Sequence, residues 1–208
     1  MIGIVDYGMG NLHSVTKALE RIGVTPFISE KKEELEKADR LILPGVGSFR
    51  DGMDELRKRD LIEFLQDWSM RGRSLLGICL GMQLLFDESE ENGLTKGLGL
   101  LPGNVRRFSG KTEDGKSYKV PHMGWNQLRL HQIDHPILMN VSSGHVYFVH
   151  SYAVDVKDTD VLIASTQYGQ LVPAVVGSDS VWGTQFHPEK SSTLGMTMLH
   201  NFTKWKGM

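Results

Sequence analysis

The sequence predicts an α/β domain built on one open, mostly parallel sheet flanked by helices, with an antiparallel extension. Three observations predict it. Up to Gly93, short apolar runs alternate with segments of helical periodicity, the grammar of a parallel sheet whose faces are both covered. Beyond Gly93 come β-type runs with no long helix between them, which suits antiparallel pairing. The chain then closes on a segment whose apolar residues return to helical spacing.

The elements follow in order. IGIVDYG, residues 2–8, is expected as a buried strand, and NLHSVTKALERIG, 11–23, as a helix with Leu12, Val15, Leu19 and Ile22 on one face and Gly23 as its cap. VTPFIS at 24–29 is the second strand, EELEKA at 33–38 a short charged helix, and RLILPGVG at 40–47 the third strand. DGMDELRKRDLIEFLQDWSMRG, 51–72, reads as one helix with Leu56, Leu61, Leu65 and Trp68 inward. SLLGI at 74–78 is the fourth strand, and LGMQLLFDE at 80–88 the helix after it. GLTKGLGLLPGN, 93–104, is a glycine-rich connection. VRRF, YKVPHMGWNQLRL, HVYFVHSYAV, VLIASTQYG, LVPAVVGS and SVWGTQF, between Val105 and Phe186, are expected to form the antiparallel extension, with hairpin-like turns such as GSDS. STLGMTMLHNFTKWK, 192–206, is the closing helix, expected to cover one sheet face. With no linker composition anywhere, residues 1–208 are expected to form one domain.

The totals bound the function. Lys plus Arg number 23 against 25 for Asp plus Glu, a net charge of −2, so nothing steers the chain toward nucleic acid or an anionic membrane. No apolar run approaches the roughly 20 residues that span a bilayer. One cysteine forms no internal disulfide, and MIGIVDYG has neither a basic start nor a long apolar stretch, so the expected compartment is the cytoplasm. No H-E-x-x-H or paired-cysteine spacing marks a metal site.

The single cysteine lies in LLGICLGMQLL, 75–85, where an apolar strand gives way to a helical pattern. In open α/β sheets that is where ligands bind, outside the carboxyl ends of the strands. Gly77 and Gly81 make the pattern G-x-C-x-G, the thiol counterpart of a nucleophile elbow. A packed core cysteine has no need of glycine on both sides, since glycine weakens strand and helix alike by roughly 0.5–1 kcal/mol. The N-terminus of the next helix favours negative charge on the sulfur.

A cysteine nucleophile needs a base, and the chain has eight histidines: His13, His122, His131, His135, His145, His150, His187 and His200. Only His187 stands in a run with catalytic grammar, GTQFHPEKS, where Pro188 forces an abrupt strand exit and Glu189 is near enough to orient the imidazole. The others read as bystanders. Donors for an oxyanion are expected from the backbone N–H groups of Leu80, next after the nucleophile, and Gly47, in LPGVG at the end of another parallel strand.

These motifs, GICLGMQ followed by FHPE in that order and spacing, resemble the class I glutamine amidotransferases over the whole chain. DYGMGNL at 6–12, LPGVGSF at 43–49, PHMGWN at 121–126, YFVHSY at 147–152 and GTQFHPEKS at 183–191 resemble, within that family, the glutaminase subunits of imidazole glycerol phosphate synthases. DYGMGNL and PHMGWN argue against the corresponding subunits of pyridoxal phosphate synthase and anthranilate synthase. An intact Cys79, His187 and Glu189 argues against a silent scaffold on the same fold.

The resemblance implies that residues 1–208 are a glutamine amidotransferase type 1 domain needing no cofactor. It implies that Cys79 attacks the side-chain amide of glutamine, His187 moves the protons and Glu189 holds His187. Gln83, Glu91, Ser151 and Tyr152 would hold the two ends of the amino acid. It further implies a heterodimer with a (β/α)8-barrel cyclase subunit, which receives the ammonia in histidine biosynthesis. Asn11, Trp125 and Lys190 are expected on the docking face.

Overall fold

The computed structural model describes residues 1–205. Its first half is β1 (Ile2–Val5), α1 (Leu12–Arg21), β2 (Phe27–Ser29), α2 (Lys32–Leu35), β3 (Arg40–Gly45), α3 (Phe49–Lys58), α4 (Leu61–Met70), β4 (Ser74–Cys79) and α5 (Leu80–Leu84). There follow β5 (Phe86–Ser89), β6 (Thr95–Lys96), β7 (Leu101–Arg107), β8 (His122–Gln127), β9 (Arg129–Leu130), β10 (His145–His150) and β11 (Tyr152–Val156). The chain ends with β12 (Leu162–Tyr168), β13 (Gln170–Ser178), β14 (Val181–Thr184) and α6 (Ser192–Lys204), so Lys206 of the expected closing helix lies outside the described residues.

Eight strands form the main sheet in the order β2-β1-β3-β4-β14-β13-β12-β9. β2 through β14 run parallel, and β13, β12 and β9 extend the sheet antiparallel. SVWGTQF was expected in the extension but joins the parallel centre as β14, directly beside β4. Strand alternation sorts the core onto two faces. Leu41, Leu43 and Leu75 pack with Met53, Leu56, Leu65 and Trp68 of α3 and α4, while Ile42, Leu76 and Ile78 pack with Val15, Leu19, Met198 and Phe202 of α1 and α6.

Three local expectations are corrected. The segment 51–72 is two helices broken at Arg59–Asp60, where Asp60 has φ 55°. Leu56 and Leu61 are five apart, so an unbroken helix would turn Leu61 about 140° off the buried face; the break restores its phase. The helix after Cys79 stops at Leu84 because the glycine-rich return claims its carbonyls: Leu98 N–H donates to Leu84 C=O at 2.8 Å and Leu100 N–H to Leu85 C=O at 2.8 Å. FDES becomes β5 instead. HVYFVHSYAV is likewise split at Ser151, with β10 in a ribbon with β8 and β11 in a four-stranded sheet β11-β7-β5-β6.

Candidate active site

Three adjacent parallel strands deliver the site. At the carboxyl edge of the sheet Gly45 of β3 pairs in register with Cys79 of β4, and on the other side Thr184 of β14 pairs with Ile78. The segments leaving these strands, Val46–Gly47, Cys79–Leu80 and Gln185–His187, therefore converge. Cys79 has φ 56° and ψ −110°, a left-handed conformation rare for a residue with a Cβ, as expected of a strained elbow. The two glycines are explained by close approach. A Cβ on Gly81 would overlap the Leu43 carbonyl oxygen, and one on Gly77 would sit 2.6 Å from the Gly81 carbonyl oxygen. The turn packs this tightly only without side chains.

His187 lies just past β14, 3% exposed, and its Nδ1 meets Glu189 Oε1 at 2.8 Å with the carboxylate 1% exposed. Since a carboxylate accepts, Nδ1 carries the proton and Nε2 is turned to the other side of the ring. Burial alone pushes the imidazole down, but hydrogen bonding and charge attraction to Cys79, then to Glu189, outweigh it and lift His187 to about 10. An imidazole held protonated beside sulfur stabilises a thiolate. Below Cys79 the Tyr7 phenol is buried, and burial, followed by the nearby Cys79 charge, raises it far out of the titrating range, so it stays neutral.

A cavity of about 360 Å³ opens over the sulfur, lined by Gly47, Leu80, Gln83, Glu91, Ser151 and Tyr152 together with Cys79 and His187. Every residue expected to hold substrate or an oxyanion thus faces one space. Some have structural duties as well. Gln83 Nε2 donates to Tyr152 C=O and to Gln185 Oε1, both at 3.0 Å. Glu91 Oε2 accepts from Phe49 N–H at the start of α3, at 2.7 Å. On the oxyanion side, Gly47 has φ 107°, and the preceding Val46 N–H is held by Met9 C=O at 2.6 Å.

The residues expected on a docking face have different surroundings. Trp125 is 54% exposed on β8, edge-on to Tyr147 across the ribbon, and its strand neighbour Met123 is 61% exposed. Lys190 is exposed on the short 3-10 turn Pro188–Lys190. Asn11 is half-buried and caps α1, its side chain accepting from Ser14 N–H at 3.2 Å.

Sequence reasoning missed Gln185, fully buried, whose Nε2 lies 4.0 Å from Cys79 Sγ. Its position two residues before His187 was the available signal. His122 and His150, read as bystanders, are buried behind the cavity, where His150 also forms part of the lining.

Burial lowers His122 and His135 to about 4, and burial with the charges of His122 and His187 lowers His150 to about 3 against a hydrogen bond to Tyr152. In the unfolded chain these rings protonate below about 6.5. The unfolded state then binds more protons, so stability is lost as pH falls from 6.5 toward 4, whereas the His187 contribution is complete below about 6.5 and is lost as pH rises from there through about 10. Melting scans should show Tm falling by about 5 °C or more between pH 6.5 and 5, above the range where carboxylates titrate. A flat Tm there would contradict the buried neutral histidines.

Among the described residues no cluster of ligating side chains could hold a metal ion, and no helix is long and apolar enough to cross a membrane. The class I glutamine amidotransferase family matches residues 3–205. The chain is 61% identical over 202 residues to the imidazole glycerol phosphate synthase subunit HisH of Halalkalibacterium halodurans, covering 97% of this chain and 94% of that one. It is 58% identical over 204 residues to the subunit of the same name from Bacillus subtilis strain 168, covering 98% and 96%. Among solved structures it resembles PurLQS from Thermotoga maritima with a TM-score of 0.76 at 21% identity, over 97% of this chain and 96% of that one, a likeness of fold. With a match over nearly the full chain and relatives of this similarity, the chain belongs to the class I glutamine amidotransferase family, in the branch that its HisH relatives form.

Proposed function

We propose that the chain hydrolyses L-glutamine to glutamate and ammonia through a thioester on Cys79, and passes the ammonia to a (β/α)8-barrel cyclase partner in the cytoplasmic synthesis of histidine. The observation that carries this is the buried Cys79, His187 and Glu189 relay at the mouth of one cavity. Thiolate sulfur bonds to the amide carbon, and the oxyanion is met by the N–H groups of Leu80 and Gly47. The C–N bond then breaks as His187 gives its proton to the leaving ammonia. Neutral His187 next takes a proton from water as it attacks the thioester, which releases glutamate and restores the thiolate. Gln83, Glu91, Ser151 and Tyr152 hold the amino-acid end away from the sulfur.

Ammonia released into neutral water becomes ammonium, which has no lone pair for attack, so a dry path into a partner keeps it reactive. The exposed Trp125 and Met123, with Lys190 and Asn11 at the neighbouring α1 end, form the docking face in this reading. The partner also gates the chemistry. While Met9 C=O holds Val46 N–H, the Val46–Gly47 segment is fixed by a contact outside the site, and a partner that releases it lets the positive-φ glycine turn its peptide toward the substrate.

Glutamate release by the purified chain, alone and with a cyclase barrel carrying its nucleotide, tests this. The complete mixture should raise kcat by about 10²–10³, the worth of one oxyanion donor. A rise confined to KM would contradict gating, and absence of hydrolysis in every mixture would contradict the reaction itself.

A further inference from the structure

We infer that His122 and His150 are positioning residues for glutamine: a buried relay of two neutral imidazoles with fixed tautomers sets the bend that faces the amino-acid end of the substrate. The inference deepens the glutaminase reading and rests on it. The bend is Ser151, where the chain leaves β10 in one sheet and enters β11 in another, and Val149 through Tyr152 line the cavity over Cys79.

The hydrogen bonds determine every proton in the relay. His150 Nδ1 lies 2.7 Å from Tyr152 C=O, and a carbonyl only accepts, so Nδ1 carries the hydrogen and Nε2 is an acceptor. That Nε2 is 3.0 Å from His122 Nδ1, which must donate, leaving His122 Nε2 as an acceptor. Asn126 Nδ2 supplies it at 3.3 Å while donating to Gln167 C=O at 3.0 Å. The amide cannot flip, because its Oδ1 accepts Gln127 N–H at 2.8 Å. Both rings therefore hold the Nδ1–H tautomer.

The geometry is built rather than incidental. His122 is sandwiched between Phe148 at 4.5 Å and Tyr168 at 4.0 Å, near-parallel to both, and the two histidines are 2% and 7% exposed. Tyr152 C=O takes a second hydrogen bond from Gln83 Nε2, itself joined to Gln185 and so to the sulfur. Ser151 C=O is held by Phe108 N–H at 3.1 Å. Both carbonyls of the bend are thus tied, and the imidazole of His150 is the tie that reaches from one sheet to the other. The relay begins on β8, the strand that carries Trp125, so it also joins the proposed docking face to the substrate-binding segment.

Two measurements test the inference. Imidazole nitrogen NMR on the ¹⁵N-histidine-labelled chain at pH 7 should find His122 and His150 neutral with the hydrogen on Nδ1; a hydrogen on Nε2 of either ring overturns the relay, and this needs no variant to fold. Glutamine kinetics of the complex with cyclase barrel and nucleotide then compare His122→Phe, which keeps the aromatic stack but donates nothing, with His122→Asn, whose amide nitrogen can stand in for Nδ1. His122→Phe should raise KM about tenfold with kcat within about threefold of wild type, and His122→Asn should return KM to within about threefold. An unchanged KM in His122→Phe, or no rescue by Asn, overturns the positioning role. Failure of the wild-type complex itself to release glutamate removes the glutaminase reading and this inference with it, an outcome distinct from the others.

Discussion

Replacing Cys79 by Ala in the complete, nucleotide-loaded complex is expected to cut glutamate release by about 10⁴-fold or more while leaving the fold intact. The side chain is small, sits at a strand end and already borders the cavity above it, so its loss opens little new space. The chemistry, however, loses its only nucleophile. Nearby groups offer no replacement, because Tyr7 is held neutral by burial and Gln185 is an amide. His187→Asn should be similarly severe, since in the proposed mechanism the proton for the leaving ammonia and the activation of water both depend on the one ring. Because members of a relay act as a unit, the double variant should be little worse than either single one. A Cys79→Ala complex that retained a tenth of wild-type hydrolysis would remove the thioester from the mechanism.

The second large effect is on architecture. Gly81→Ala should destabilise the chain by about 3 kcal/mol or more, lowering Tm by roughly 10 °C, because the added methyl overlaps the backbone carbonyl of Leu43 in the central sheet. That neighbour is main chain in β3, paired along its whole length with β4, and cannot rotate away. The remaining folded molecules should still be impaired, as the shift moves Leu80 N–H, an oxyanion donor in the proposed mechanism. Thermal melts with glutamate-release assays at low temperature measure both effects. By contrast Gly23→Ala meets no atom within 4 Å, so its cost is set by its φ of 76° alone and activity should be unaffected.

The contrast between those glycines shows what was legible in the chain. Alternation of apolar runs and helical stripes exposed β1, β3 and β4 with their helices, because strand burial on both faces and one-sided helix burial write different periods into sequence. The candidate site was legible for a local reason: the elbow and the H-P-E turn are short contiguous segments whose residue types have few other uses. What depends on distant pairing left no such mark. Nothing in SVWGTQF separates a parallel centre strand from an antiparallel edge, yet its place beside β4 is what brings His187 to Cys79. The end of α5 is set by the Leu84 and Leu85 carbonyls, which accept from N–H groups of residues 98–101, and the break at Arg59–Asp60 by a phase change with no glycine or proline to announce it. The tautomers of His122 and His150 depend on Asn126, Gln127, Tyr152 and Gln167, from three separate stretches of chain, which no local pattern could reveal.

The proposed mechanism turns on a covalent glutamyl intermediate on Cys79, which mass spectrometry of the chain quenched in acid during steady turnover would detect. A fraction of the peptide containing Cys79 should carry the mass of a glutamyl acyl group, released by hydroxylamine and absent in Cys79→Ala. Turnover at full rate with Cys79 unmodified at every quench time, or with the acyl group on another residue, would contradict it.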